Sequence, residues 1–232
     1  MGEGWSDFFA LCLNAEPSDD FSACFAAGAY ATYNITAGFT NNYYYGIRRF
    51  PYSADMNKSP LTYADIDTAQ FAYNASIPKG PIGSATANEV HNVGEVWCQV
   101  LLEMRREIGL TEGFNANQIA MQLAVDGMKL APAAPSFLNE RDTILQADLT
   151  RYGGIHQPAI WTAFAKRGMG VNATSPTGGG TSGIVENYNL PQRVDYTFPD
   201  GIPTVVSPAT PTSFRVTMTP TLITLKIGRA HV

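Results

Sequence analysis

The chain has 232 residues, 45% hydrophobic and 15% charged, which supplies a large packed core and too little charge for a disordered chain. Fifteen Lys and Arg against twenty Asp and Glu leave a net charge of −5, so the basic face that nucleic-acid binding needs is missing. The longest apolar run, Phe8 to Leu13, is far short of the about 20 residues that span a bilayer, so no membrane span is expected.

The first element is a helix, with Trp5, Phe8, Phe9, Cys12 and Leu13 at helical spacing and Pro17-Ser18-Asp19-Asp20 after it. Residues 21–52, dense in Tyr, Gly, Ala and Asn, follow neither period and read as irregular with a short strand. A short helix is expected over about Tyr63 to Phe71. The clearest helix starts near Thr86 and carries Val90, Val93, Trp97, Leu101, Met104 and Ile108 at three-to-four spacing, with Gly109 as its stop. Three more follow: about Asn115 to Leu130 before Pro132, Ser136 to Arg151 with Ser136 as cap and Gly153-Gly154 as stop, and Gln157 to Lys166 before Gly168.

The text changes after Gly170. Thr177 to Gly183 is rich in Gly, Ser and Thr, and Pro191 to Pro211 is Pro-rich. Phe214 to Met218 and Leu222 to Leu225 read as strands, too few for a sheet of their own. The expected organisation is a helical lobe over 1–172, a Gly/Ser/Pro-rich linker over 173–211, and the truncated start of a β-rich domain over 212–232. Within that last part Lys226 to Val232 matches the translation of a common sequencing adapter and is given no function.

Met1-Gly2-Glu3-Gly4 has no basic n-region, so no signal peptide is read there. Cys12, Cys24 and Cys98 allow either one disulfide, such as Cys12–Cys24, or three reduced thiols. Four glycosylation sequons, at Asn34, Asn57, Asn74 and Asn172, permit a secreted protein.

Glu3 and Asp7 stand at i and i+4 of the opening helix, so both carboxylates share one face. Such a pair can ligate a metal with a second carboxylate behind it, or it is an exposed helix start where the dipole favours acids. His91 precedes Glu95 by four residues, a spacing that serves metal ligation, orientation of a base or a plain hydrogen bond. His156, beside Gly153-Gly154, reads as a capping or surface residue. Arg48-Arg49, near Tyr52, can bind a carboxylate or carbonyl or form a solvated face. The sequence has no Walker-type loop, cysteine zinc knuckle or G-x-S-x-G elbow.

Six blocks add a resemblance: Gly2-Glu3-Gly4-Trp5-Ser6-Asp7-Phe8-Phe9-Ala10, Gly46 to Ser53, Glu89 to Trp97, Asp126 to Leu130, Arg141 to Asp148 and Trp161 to Gly168. In this order, over about residues 1 to 172, they resemble the C-terminal part of the catalytic domain of fungalysin-type secreted metallopeptidases, which are thermolysin-like zinc enzymes. The resemblance implies a mainly α fold, the helical C-terminal lobe of such an enzyme. It also implies Zn2+ as cofactor, protein or peptide substrates cut internally, and apolar or aromatic preference on the primed side. Glu3 would be a zinc ligand, and Asp7 would hydrogen-bond a zinc-binding histidine. His91 would donate to the developing oxyanion, and Arg48 or Arg49 would hold a substrate carbonyl.

Departures from the family pattern carry their own expectations. No H-E-x-x-H occurs in the sequence, so the chain alone is expected to be inactive and to need the N-terminal half of its own catalytic domain as partner. Cysteines that many fungal members carry near Ala133 and Pro158 are both absent here, consistent with a missing disulfide. The alternative reading, which follows if Met1 is the natural start, is a non-catalytic helical binding or structural protein that retains these motifs.

Overall fold

The computed structural model describes residues 1–192 except 73–74, 84–85 and 177–178, together with the backbone of 194–197 and 217–220. It divides into two compact units, Met1–Leu190 and Pro191–Val232. The first is mainly helical: α1 (Gly2–Leu13), α2 (Ala29–Ile35), α3 (Asn42–Tyr45), a 3-10 turn (Tyr63–Ile66), α4 (Val90–Glu112), α5 (Asn115–Leu130), α6 (Phe137–Tyr152) and α7 (Gln157–Lys166).

Helix α4 runs through the middle of this unit, and α1, α5 and α7 pack around it. Its Trp97, Leu101, Met104 and Ile108 are buried among Phe8 of α1, Leu123 of α5 and Phe164 of α7. Each such side chain contributes about 1.5–3 kcal/mol when fully removed from water. Trp97 is also ringed by Trp5, Phe137 and Phe164 at centroid distances of 5.2, 4.8 and 6.0 Å, which joins four elements at one aromatic node.

A central helix buried on most sides must satisfy its polar groups internally. Gln99 does so by pairing its amide with the backbone of Ser53 in both directions, at 3.0 and 2.9 Å. Glu103 accepts from Arg167 at 3.0 Å and from Lys166 at 2.8 Å. Arg167 goes on to donate to the carbonyls of Ser53, Ser59 and Leu61, so one buried guanidinium ties α4 and α7 to the loop of residues 53–61.

The ends of α5, α6 and α7 agree closely with the sequence. Ser136 accepts from the Asn139 amide while the Asn139 side chain accepts from the Ser136 amide, a reciprocal cap. Gly153, at φ 68°, ends α6 in the left-handed region, and the Gly154 amide closes onto the Asp148 carbonyl. Three expectations need correction. Helix α4 starts at Val90 behind Glu89, and Gly109 lies inside it rather than stopping it; the terminator is Gly113, at φ 57°. Residues 21–52 are not irregular, because α2 and α3 form there. The Tyr63–Phe71 helix is a single 3-10 turn. The short strand expected within 21–52 is the isolated bridge between Phe25 and Tyr52.

Residues beyond 172 do not leave this unit at once. Met169 bridges to Asn187 and Thr174 to Val185, and the Gly183 and Ile184 amides donate to Asp67. In the second unit, β1 (Val194–Thr197) pairs antiparallel with β2 (Thr217–Pro220), Val194 opposite Pro220. The expected strand over Phe214 to Met218 is described only from Thr217; its beginning, the strand over Leu222 to Leu225, most of the Pro-rich linker and the 226–232 tail lie outside the described residues. No helix among the described residues is long and apolar enough to cross a membrane.

Candidate functional site

Helix α1 crosses α4 near the N-terminal ends of both, and small residues make the approach close. A Cβ on Gly94 would stand 2.5 Å from the Glu3 Cβ, and one on Gly4 would stand 2.3 Å from the Gly94 carbonyl oxygen. Glu3, in the first turn of α1, and His91, in the first turn of α4, therefore face each other, with Glu3 Oε2 3.6 Å from His91 Nε2. Both side chains reach solvent, at 39% and 54% exposure.

Glu89 sets His91 in place. As the N-cap of α4 its carboxylate accepts from the His91 and Asn92 amides, and the same carboxylate takes the other ring nitrogen, Nδ1, at 2.7 Å. With Nδ1 held by a carboxylate, Nε2 is the nitrogen presented toward Glu3. Burial pushes the Glu89 carboxyl up, but the His91 ring and the helix amides outweigh it and hold the group below its ordinary value.

Arg48 arrives from the segment after α3. Gly46, at φ 58°, packs its Cα onto Ala27, whose carbonyl oxygen would lie 2.0 Å from any Cβ there. The Ile47 amide then bonds to that same carbonyl, which turns Arg48 inward. Its guanidinium grips Asp7 in a two-point fork, Nε to Oδ2 at 2.6 Å and Nη2 to Oδ1 at 2.9 Å, and Nη2 lies 3.6 Å from Glu3. Tyr52, held by paired backbone bonds to Phe25, donates to Asp7 Oδ2 at 2.5 Å. Asp7 and Tyr52 hold the Arg48 proton firmly, well above the ordinary arginine value despite burial, while burial raises the Tyr52 phenol.

The residues singled out in the sequence thus separate. Glu3, Asp7, Arg48 and His91 form one cluster. Arg49 turns away into the interior, where Nε donates to Glu95 at 2.7 Å. Glu95 is not the partner of His91; it also accepts from the Phe50 amide, and burial raises its carboxyl against the pull of Arg49. The two oxygens of Asp7 are occupied by Arg48 and Tyr52. His156 does stand at the N-cap position of α7, but it is buried rather than on the surface, with Nδ1 2.7 Å from Asp148. Cys12, Cys24 and Cys98 are all free thiols, so the Cys12–Cys24 bridge does not form. Glu89, Gly94 and Tyr52 are the contributors that reading the sequence did not assign. Glu89 gave the clearest signal, as an acid at the start of a strong helical pattern.

Among the described residues no group of three or more His, Cys, Asp or Glu side chains is arranged to hold a metal ion. Glu3 presents one carboxylate with a histidine and an arginine around it, which does not by itself fit a metal centre of three protein ligands.

Comparison with known proteins gives a consistent answer. The family model described as fungalysin metallopeptidase (M36) matches residues 1–173. The chain is 35% identical to the extracellular metalloproteinase mep of Aspergillus fumigatus, over 75% of this chain and 25% of that protein. It is 34% identical to extracellular metalloproteinase 1 of Trichophyton equinum and of Arthroderma benhamiae, again over 75% of the chain. The chain spans about a quarter of the length of these curated relatives.

Proposed function

This chain belongs to the fungalysin metallopeptidase family, and from that premise we propose that it is the helical lobe of a secreted zinc endopeptidase, running from Met1 to Leu190. The relatives' description as extracellular supports the secreted reading. In this reading Glu3 is one zinc ligand, and the remaining ligands lie in an N-terminal half that pairs with this lobe. The zinc, when bound, is the Lewis acid of the reaction. The substrates are proteins and peptides, and residues 191–232 lead into an appended domain.

What the chain's own residues do follows from their positions. His91 donates Nδ1–H to the Glu89 carboxylate, and in its imidazolium form it also offers an Nε2–H to charge that develops beside Glu3. A fixed donor of this kind is worth about 3 kcal/mol in a transition state. Arg48 is fastened to Asp7 and keeps one edge near Glu3, where it can meet a substrate carbonyl; Arg49 is spent on Glu95. Asp7 then acts through Arg48 and Tyr52, and can reach a zinc-bound histidine only as a further acceptor contact. The isolated chain, without the partner half, is inactive.

The facing of Glu3 and His91 at 3.6 Å across the α1–α4 crossing is the observation that carries this reading. It is tested in the full-length protein with His91→Ala. Turnover falls about a hundredfold or more while bound zinc is unchanged; unchanged turnover would remove His91 from the mechanism.

A further inference from the structure

Helix α2 contributes no residue to the Glu3–His91 cluster, and it carries a sequon. Asn34-Ile35-Thr36 closes that helix, with Asn34 exposed in its last turn and Thr36 in extended backbone just past its end. Among the described residues the Asn34 side chain makes no hydrogen bond, so its amide is unengaged. Tyr30, Tyr33 and Ile35 around it are 75%, 72% and 70% exposed. Tyr30 precedes Asn34 by four residues and so lies one turn away on the same face of the helix. An exposed phenol ring at that offset offers an apolar surface on which the face of a sugar can lie.

The other sequons are built differently. Asn57 is exposed, but its amide already donates to Asp55 at 3.1 Å, and Ser59 is buried. Asn172 is exposed in a turn whose Thr174 is held in the bridge to Val185. Asn74 lies outside the described residues. Asn34, whose Thr36 is half-buried, alone of the three described combines an exposed, unengaged amide with flanking exposed aromatics.

We propose that Asn34 is an N-glycosylation site, an inference that rests on the secreted reading. The side-chain nitrogen of Asn34 bonds to C1 of the first N-acetylglucosamine of a lipid pyrophosphate-linked oligosaccharide. The bond from C1 to the pyrophosphate oxygen breaks, the lipid pyrophosphate leaves with that electron pair, and the amide nitrogen gives up one proton. The glycan then projects from the Tyr30 face of α2 and keeps that patch from contact with other chains.

The experiment is to produce the full-length protein in a secreting fungal host, collect medium and cells, and read the peptide that carries Asn34 by mass spectrometry. Half of each sample is treated with an amidase that releases N-glycans and leaves Asp. The expected result is a medium-borne protein whose Asn34 appears as Asp only after treatment, with the mass of one glycan lost in both Asn34→Gln and Thr36→Ala. Thr36→Ala leaves Asn34 itself in place, so it reports on the sequon if the other variant fails to fold. Protein in the medium with Asn34 unmodified overturns the inference and leaves the secreted reading standing. Protein retained in the cells overturns both.

Discussion

Gly94 and Gly4 meet where α4 crosses α1, so closely that a Cβ on Gly94 would lie 2.7 Å from the Gly4 amide nitrogen. This contact places Glu3 opposite His91, because each is within one helical turn of it. Gly94→Ala must push the helices apart, at a cost of about 1–3 kcal/mol. Gly2→Ala, where nothing lies within 4 Å of an added Cβ, serves as the control and leaves stability level or slightly higher. Urea denaturation of the two variants measures the difference, and equal midpoints would deny the tight crossing.

Glu89 combines two tasks that substitution can separate. Glu89→Ala removes the cap of α4 and the partner of His91 Nδ1, and it lowers stability by about 1 kcal/mol. Glu89→Gln keeps an oxygen for the helix amides but presents no charge to the ring, so its melting temperature stays closer to that of the parent. In the full-length enzyme both lower kcat with bound zinc unchanged. Loss of zinc in Glu89→Gln would show that this residue does not act through His91.

Much of the helical frame was readable in advance. The α5, α6 and α7 segments carry apolar stripes bounded by Pro132, Ser136, Gly153 and Gly168, each of which acts through its own backbone or cap chemistry. Helices α2 and α3 were not readable, because Tyr30, Tyr33 and Tyr43 face solvent and leave no apolar stripe to find. Gly109 misled because composition does not reveal φ; it serves close packing instead, with Phe21 3.0 Å from where its Cβ would be. The order of the sequence blocks pointed to Glu3, Asp7, Arg48 and His91, which the fold brings into one cluster. The partners themselves, Arg48 with Asp7 and Arg49 with Glu95, are 41 and 46 residues apart. No local spacing could have said which arginine goes where.

The buried pair of Glu103 and Arg167 is both fully enclosed and richly bonded. Arg167→Ala leaves the Ser59 and Leu61 carbonyls without their donor, the Ser53 carbonyl with Gln99 alone, and Glu103 with Lys166 and, at 3.8 Å, Arg106. Its cost is about 3 kcal/mol or more, read as a fall in the urea midpoint. A loss under about 1 kcal/mol would mean that water substitutes for the guanidinium.

Asp65 supplies the pH dependence. Burial and the nearby Glu186 push its carboxyl up to about 6 from an ordinary 3.8. The folded state therefore binds more protons than the unfolded state between those values. Its contribution to stability is full below about 4 and declines as pH rises through about 6. Asp65→Asn keeps an oxygen for the Thr62 amide, which Asp65 accepts at 2.7 Å, and removes this decline. The stability of Asp65→Asn relative to the parent must grow between pH 4 and pH 7, as measured by denaturation; a constant difference would contradict the assignment.

The central claim, that the Glu3 carboxylate is one ligand of a zinc shared with a second half of the enzyme, is tested most directly by counting metal. Elemental analysis of the full-length protein, parent against Glu3→Gln, after dialysis at matched protein concentration, gives zinc per chain. The expected result is a loss of at least about tenfold in the variant with its helical circular dichroism intact. A variant that folds and retains the parent's zinc content would show that Glu3 holds no metal.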